Sequence, residues 1–169
     1  LVEIDESDER RAVTYEQLRE QVARLAGWMR EQNIQPGDRI AGFMPNCIET
    51  VVAMLATTSL GAVWSSCSPE FGQQGAVDRF GQIQPRLLVT ADGYVYNGKR
   101  CDSLARASEI ARAIPEIEQV VVVAKLSPKP ALGEIDKAVS WQSCLSGEMP
   151  ALRFEPRSFN DPLFILYSS

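Results

Sequence analysis

The 169 residues are 45% hydrophobic and 23% charged, a composition that suits one ordinary domain with a buried core and excludes a disordered chain. Against 22 acidic side chains stand 17 basic ones, a net charge of -5 with the signs interspersed, so a nucleic-acid or membrane-surface partner is not expected. Histidine is absent, which removes the common zinc sites and the usual serine and cysteine triads.

Leu1 to Arg10 is acidic where a secretory signal would be basic and then apolar, and no initiator methionine precedes it, so the chain reads as an internal start. Thr14 and Gln17 form a capping-box pattern. Leu18, Val22, Leu25, Ala26 and Met29 then recur at helical spacing, which predicts a helix from about Tyr15 to Gln32, closed by Pro36 and Gly37. Asp38 to Met44 reads as a short buried strand. Pro45 and Asn46 open a second helix with Ile48, Val51, Val52, Leu55 and Ala56 inward, stopped by Gly61. Ala62 to Ser66 is again strand-like. Phe71 to Gln84 keeps helical spacing through Val77, Phe80 and Ile83, Pro85 breaks it, and Leu87 to Thr90 follows as a strand.

Asn97-Gly98, flanked by strand formers from Tyr94, is a hairpin signal that presents Lys99 and Arg100 on a tight turn. Leu104, Ile110 and Ile114 suggest a further helix, and the β-branched run Val120 to Ala124 suits a strand buried on both faces. Ser127 to Glu134 reads as a loop and Trp141 to Leu145 as a short helical turn, with loop again through Pro156. Asp161-Pro162 introduces an apolar strand, Leu163 to Tyr167. Alternating helices and strands predict an α/β fold, an open, mostly parallel sheet covered by helices.

Cys47, Cys67, Cys101 and Cys144 are far apart and lie among small or apolar neighbours, which reads as core filling in a reducing cytoplasm. The apolar stretch Val51 to Trp64 is shorter than the roughly 20 residues that span a bilayer. No phosphate-binding glycine loop, metal-binding pattern or complete active site is present.

Several consecutive segments carry a resemblance. Thr14, Tyr15 and Leu18, then Pro36-Gly37-Asp38-Arg39, the strand Ile40 to Met44 with Pro45-Asn46, and Gly61-Ala62-Val63-Trp64 resemble the opening of the adenylate-forming enzymes. The run Trp64 to Gly72, the segment Asp78 to Gln82, Pro85, and Ala91 to Lys99 are similar, more specifically, to the acyl-CoA ligases of that family that activate acetoacetate. Asp161 to Ser169 looks like the strand leading into the family's glycine- and hydroxyl-rich phosphate loop, with Ser168 and Ser169 its first hydroxyls.

The resemblance implies that residues 1–169 are the N-terminal portion of an adenylation domain, whose remaining part and mobile C-terminal domain lie beyond Ser169. It implies ATP, Mg2+ and CoA as cofactors and co-substrates and acetoacetate as the acid. The piece itself is expected to be inactive. By the same resemblance Trp64, Ser65 and Ser66 border the CoA nucleotide and Lys99 meets its 3'-phosphate. Tyr96 stands where related short-chain ligases carry an arginine. Read without the resemblance, Lys99 and Arg100 are a solvated hairpin tip, Trp64 is core, and Asp78-Arg79 is a surface or packed pair without chemistry. A ligase for another short acid such as propionate, and a non-catalytic remnant that binds CoA or a partner, are the alternatives; the oligomeric state is left open.

Overall fold

Every strand-forming run but the last takes up its expected place. A computed structural model of the chain describes residues 1–6 and 9–167. A small antiparallel hairpin, β1 (Val2–Ile4) and β2 (Arg10–Ala12), comes first. Helix α1 (Tyr15–Glu31) begins at a complete capping box: Gln17 N donates to Thr14 Oγ1 at 3.1 Å, and Thr14 N donates to Gln17 Oε1 at 2.8 Å. Next come β3 (Arg39–Phe43), α2 (Ile48–Ser59), β4 (Val63–Cys67), a 3-10 turn (Pro69–Phe71), α3 (Gly72–Ile83) and β5 (Leu87–Ala91). The hairpin β6 (Gly93–Tyr96) and β7 (Lys99–Asp102) leads to α4 (Leu104–Ala113), β8 (Gln119–Val123), β9 (Ala138–Ser140) and the short α5 (Trp141–Cys144).

Five strands form one parallel sheet in the order β4-β3-β5-β8-β9. Side chains alternate across it. Ile40, Leu87, Val89, Val121 and Val123 pack with α1, α2 and α5, whereas Ala41, Phe43, Leu88, Val120 and Val122 pack with α3 and α4. Burial on both faces explains why these strands are continuously apolar rather than alternating; each fully buried valine or leucine contributes about 1.5–3 kcal/mol. The expected α/β architecture, an open parallel sheet covered by helices, is the one found.

Local differences have physical causes. The second helix starts at Ile48, not at Pro45, because Cys47 gives no side-chain cap and Glu3 supplies one from β1: its Oε2 accepts the Ile48 N–H at 2.9 Å. The three-residue strands β1, β2 and β9 lie where no strand is expected, being too short to show a period. Leu163 to Tyr167 makes a single parallel bridge, Phe164 to Trp64, instead of a strand. Trp64 N donates to Leu163 O at 3.1 Å and Ile165 N to Trp64 O at 3.0 Å, and the Ser65 hydroxyl donates to Ile165 O at 2.8 Å.

Candidate functional site

In a parallel sheet all strands point the same way, so the loops after them gather at one edge. Strand order also reverses at β3, whose two neighbours are β4 and β5. Crevices at such a reversal, beyond the carboxyl ends of the strands, are where open α/β sheets bind ligands. Here a cleft of about 750 Å³ opens over Met44 to Cys47 after β3, Ser66 to Phe71 around the end of β4, Tyr94 to Tyr96 of the hairpin, and Lys125-Leu126 after β8.

Its walls are fixed by charged groups from several elements. Buried Asp92, just after β5, accepts N–H groups from Lys125 at 2.7 Å, Leu126 at 2.9 Å and Ser127 at 2.8 Å, which ties the β8 loop to the foot of the hairpin. Glu3 joins Arg11 at 2.8 Å and also meets Lys125, while Arg11 reaches buried Glu49 at 2.6 Å. Burial pushes the Glu49 carboxyl up, but hydrogen bonds from Arg11 and its own backbone, and the charges of Arg11 and Lys125, outweigh it, and the net shift is downward.

Asn97 and Gly98 have φ of 50° and 70°, so the hairpin closes in the left-handed two-residue turn its sequence predicts. Both turn N–H groups are taken by the Glu6 carboxylate, at 2.9 and 3.1 Å. Arg100 donates to Leu126 O at 2.6 Å, whereas the Lys99 ammonium, exposed, has no partner among the described residues. On the opposite wall Arg79 of α3 lies with its guanidinium carbon 4.5 Å from the Phe71 ring centre and 5.9 Å from that of Tyr167.

The expected ligand residues are only partly brought together. Ser66 lines the cleft. Ser65 and Trp64 are buried behind it, the indole lying over Gly42, where a side chain would collide with it. Lys99 stands at the rim, in register with Tyr96, which does line the cleft. Ser168 and Ser169 lie outside the described residues. Glu6 and Arg79 carry no signal in the sequence alone, since one comes from an acidic terminus and the other from a surface-like helix.

The lining carries Glu3, Asp5, Glu6 and Glu70 against Arg79 and Lys125, and is acidic on balance. Burial, partly offset by Arg79, pushes the Cys67 thiol up to about 11, which favours the thiol over the thiolate. Among the described residues no group of three or more His, Cys, Asp or Glu side chains is placed to hold a metal ion. No described helix is long and apolar enough to cross a membrane.

Residues 2–169 match the family described as AMP-binding enzyme. The chain belongs to the AMP-binding enzyme family. Among relatives, acetoacetyl-CoA synthetase of Xenopus tropicalis is 42% identical over 164 residues, and acetoacetyl-coenzyme A synthetase of Rhizobium meliloti (strain 1021) 43% over 159, each across 93% of this chain and 24% of the relative. Malonamoyl-CoA synthetase of Penicillium aethiopicum is 41% identical across 100% of this chain and 24% of its own length. A solved structure of acetoacetyl-CoA synthetase from Streptomyces lividans superposes with a TM-score of 0.91 at 38% identity, covering 99% of this chain and 25% of that one. The chain thus spans about a quarter of the length of the AMP-binding enzymes it matches.

Proposed function

We propose that residues 1–169 are the N-terminal portion of an adenylation domain in an ATP-dependent acid:CoA ligase acting on acetoacetate. The observation that carries this reading is the near-complete coverage of the chain, at about 40% identity, by enzymes named as synthetases of acetoacetyl-CoA and malonamoyl-CoA. Those two acyl groups share a carbonyl two carbons from the thioester carbon and differ in a methyl against an amide nitrogen. A short 3-carbonyl acid is therefore the favoured class, ahead of propionate, which has no such carbonyl.

The reaction runs in two steps. The carboxylate attacks the α-phosphorus of ATP, breaking its bond to the pyrophosphate oxygen and giving acyl-adenylate; the CoA thiol then attacks the acyl carbon, AMP leaving and the thiol proton passing to solvent. Mg2+, when bound, would offset charge on the phosphates. The part proposed for this chain is binding. Ser66, backed by Trp64 and Ser65, and the cleft wall would receive the CoA nucleotide. Lys99 would hold the 3'-phosphate as a point charge on a turn made rigid by Glu6. Ser168 and Ser169 would begin the loop that cradles the ATP phosphates. Four unpaired cysteines fit a reducing compartment, and the cytoplasm is the proposed location.

In the full-length protein, acetoacetate is expected to drive exchange of pyrophosphate into ATP more efficiently than propionate, and the 169-residue piece is expected to show none. Exchange driven equally well by propionate would overturn the assignment of the acid. Lys99→Ala should raise KM for CoA roughly tenfold, the order of one charge-assisted hydrogen bond, and leave KM for dephospho-CoA unchanged. Equal effects on both would remove Lys99 from the phosphate site.

A further inference from the structure

We propose that the strands β1 and β2 form an electrostatically latched flap over the cleft: the pair lifts off the body of the domain as a unit, without disturbing the core, and its closure depends on ionic strength.

A folded segment is ordinarily held by apolar side chains, and this one is not. From Leu1 to Ala12 every described residue except Glu3 is exposed, and none belongs to the hydrophobic core. Ile4, a strand former of β1, is 64% exposed. Firm structure begins only at Val13, which packs against the core, and at the capping box of Thr14. What fastens the pair of strands is a set of charged hydrogen bonds to three separate places. At the start of α2, Glu3 Oε2 accepts the Ile48 N–H at 2.9 Å and Arg11 reaches the Glu49 carboxylate at 2.6 Å. After β8, Lys125 donates to Glu3 Oε1. At the turn between β6 and β7, Glu6 accepts the N–H groups of Asn97 and Gly98 at 2.9 and 3.1 Å.

Such a latch answers to the solvent in a way that the core does not. The screening length falls from about 30 Å at 0.01 M salt to about 3 Å at 1 M, and Arg11, about half exposed, is within reach of dissolved ions. Two strands detached from the body have too little buried surface to keep their own ladder in water, so lifting and unpairing coincide. Few apolar contacts and solvent-exposed hydrogen bonds are the marks of a segment that opens locally. The flap supplies Glu3, Ile4, Asp5 and Glu6 to the cleft lining. Lifting it removes that wall and bares the start of α2, where Cys47, beside the Glu3-capped Ile48, also lines the cleft and is only 6% exposed.

The test uses the full-length protein in about 0.01 M and about 1 M sodium chloride, with amide hydrogen exchange resolved by residue and cysteine alkylation by neutral iodoacetamide. High salt is expected to speed exchange in β1 and β2 roughly tenfold, the order of one charged hydrogen bond lost. The amides of Ile48, Asn97 and Gly98, which share nothing but the flap's carboxylates, should accelerate with them, while those of β3 and β5 hold. Alkylation of Cys47 should quicken in parallel, and that of Cys144, buried in α5, should not. Lys125→Met, which keeps an apolar stem and removes the charge, should speed the same amides at low salt and weaken their response to more. Exchange in β1 and β2 as slow as in β3 at high salt, or a salt response that Asn97 and Gly98 do not share, would overturn the inference. Faster exchange that leaves Cys47 alkylation unchanged would mean that the cleft does not open, and acceleration that includes β3 and β5 would mean that salt loosens the whole domain; either result defeats it too. Neither readout needs a ligand, so the outcome is separate from what the cleft binds.

Discussion

Glu49 is buried on the first turn of α2, and its charge is matched from outside that helix by Arg11 and, more distantly, by Lys125 at 3.9 Å. Because its folded pKa lies below the ordinary glutamate value, about 4.3, its stabilisation is complete above that pH and is lost as pH falls through the folded value. Glu49→Gln should therefore cost stability at pH 7, and the gap from wild type should close on acidification below pH ~4; denaturant midpoints measured across that range would show it. Arg11 is about half exposed, so solvent screens the pair and the expected cost is about 1–2 kcal/mol. A gap independent of pH would mean that the carboxylate's charge is not what matters. None of this pairing is legible in the sequence, because 38 positions separate Arg11 from Glu49 and 76 separate Glu49 from Lys125. Local spacing rules reach only three or four residues.

Elements whose signals are local are the ones the sequence reveals: the capping box of α1, the Asn97-Gly98 turn, and the doubly buried Val120 to Val123. What it hides depends on a distant neighbour. The start of α2 waits on Glu3, and Leu163 to Tyr167 meets the sheet through one bridge, at Trp64, far away in sequence. Gly93 is of this second kind. It opens β6, and a methyl group added there would run into the Cys101 carbonyl and the Leu126 side chain. Gly93→Ala should cost about 1–3 kcal/mol by overpacking, whereas Gly81→Ala, in α3 with open space around it, should be neutral or stabilising by up to about 1 kcal/mol. Thermal midpoints of the two variants against wild type check the contrast; two equal shifts would show that backbone entropy outweighs the collision.

At the scale of the molecule, the candidate site is a property of topology more than of any motif. The described residues read from the resemblance end up in three settings, with Ser66 in the cleft, Trp64 and Ser65 behind it and Lys99 on its rim, because the cleft opens past the carboxyl end of β4, to which Ser66 is the nearest of the three, and a hairpin projects beyond the sheet. Arg79 reaches the same cleft from a helix whose sequence looks like an ordinary surface.

The strand order has a consequence for how the chain is made. With β4-β3-β5-β8-β9, the first parallel strand to emerge gains a neighbour on one side and then on the other, and each later strand joins the edge left open by the one before. No strand has to be threaded between two that are already paired. A polypeptide leaving the ribosome can therefore zip this sheet together in the order of its codons, with each new helix arriving in time to roof the strand just added.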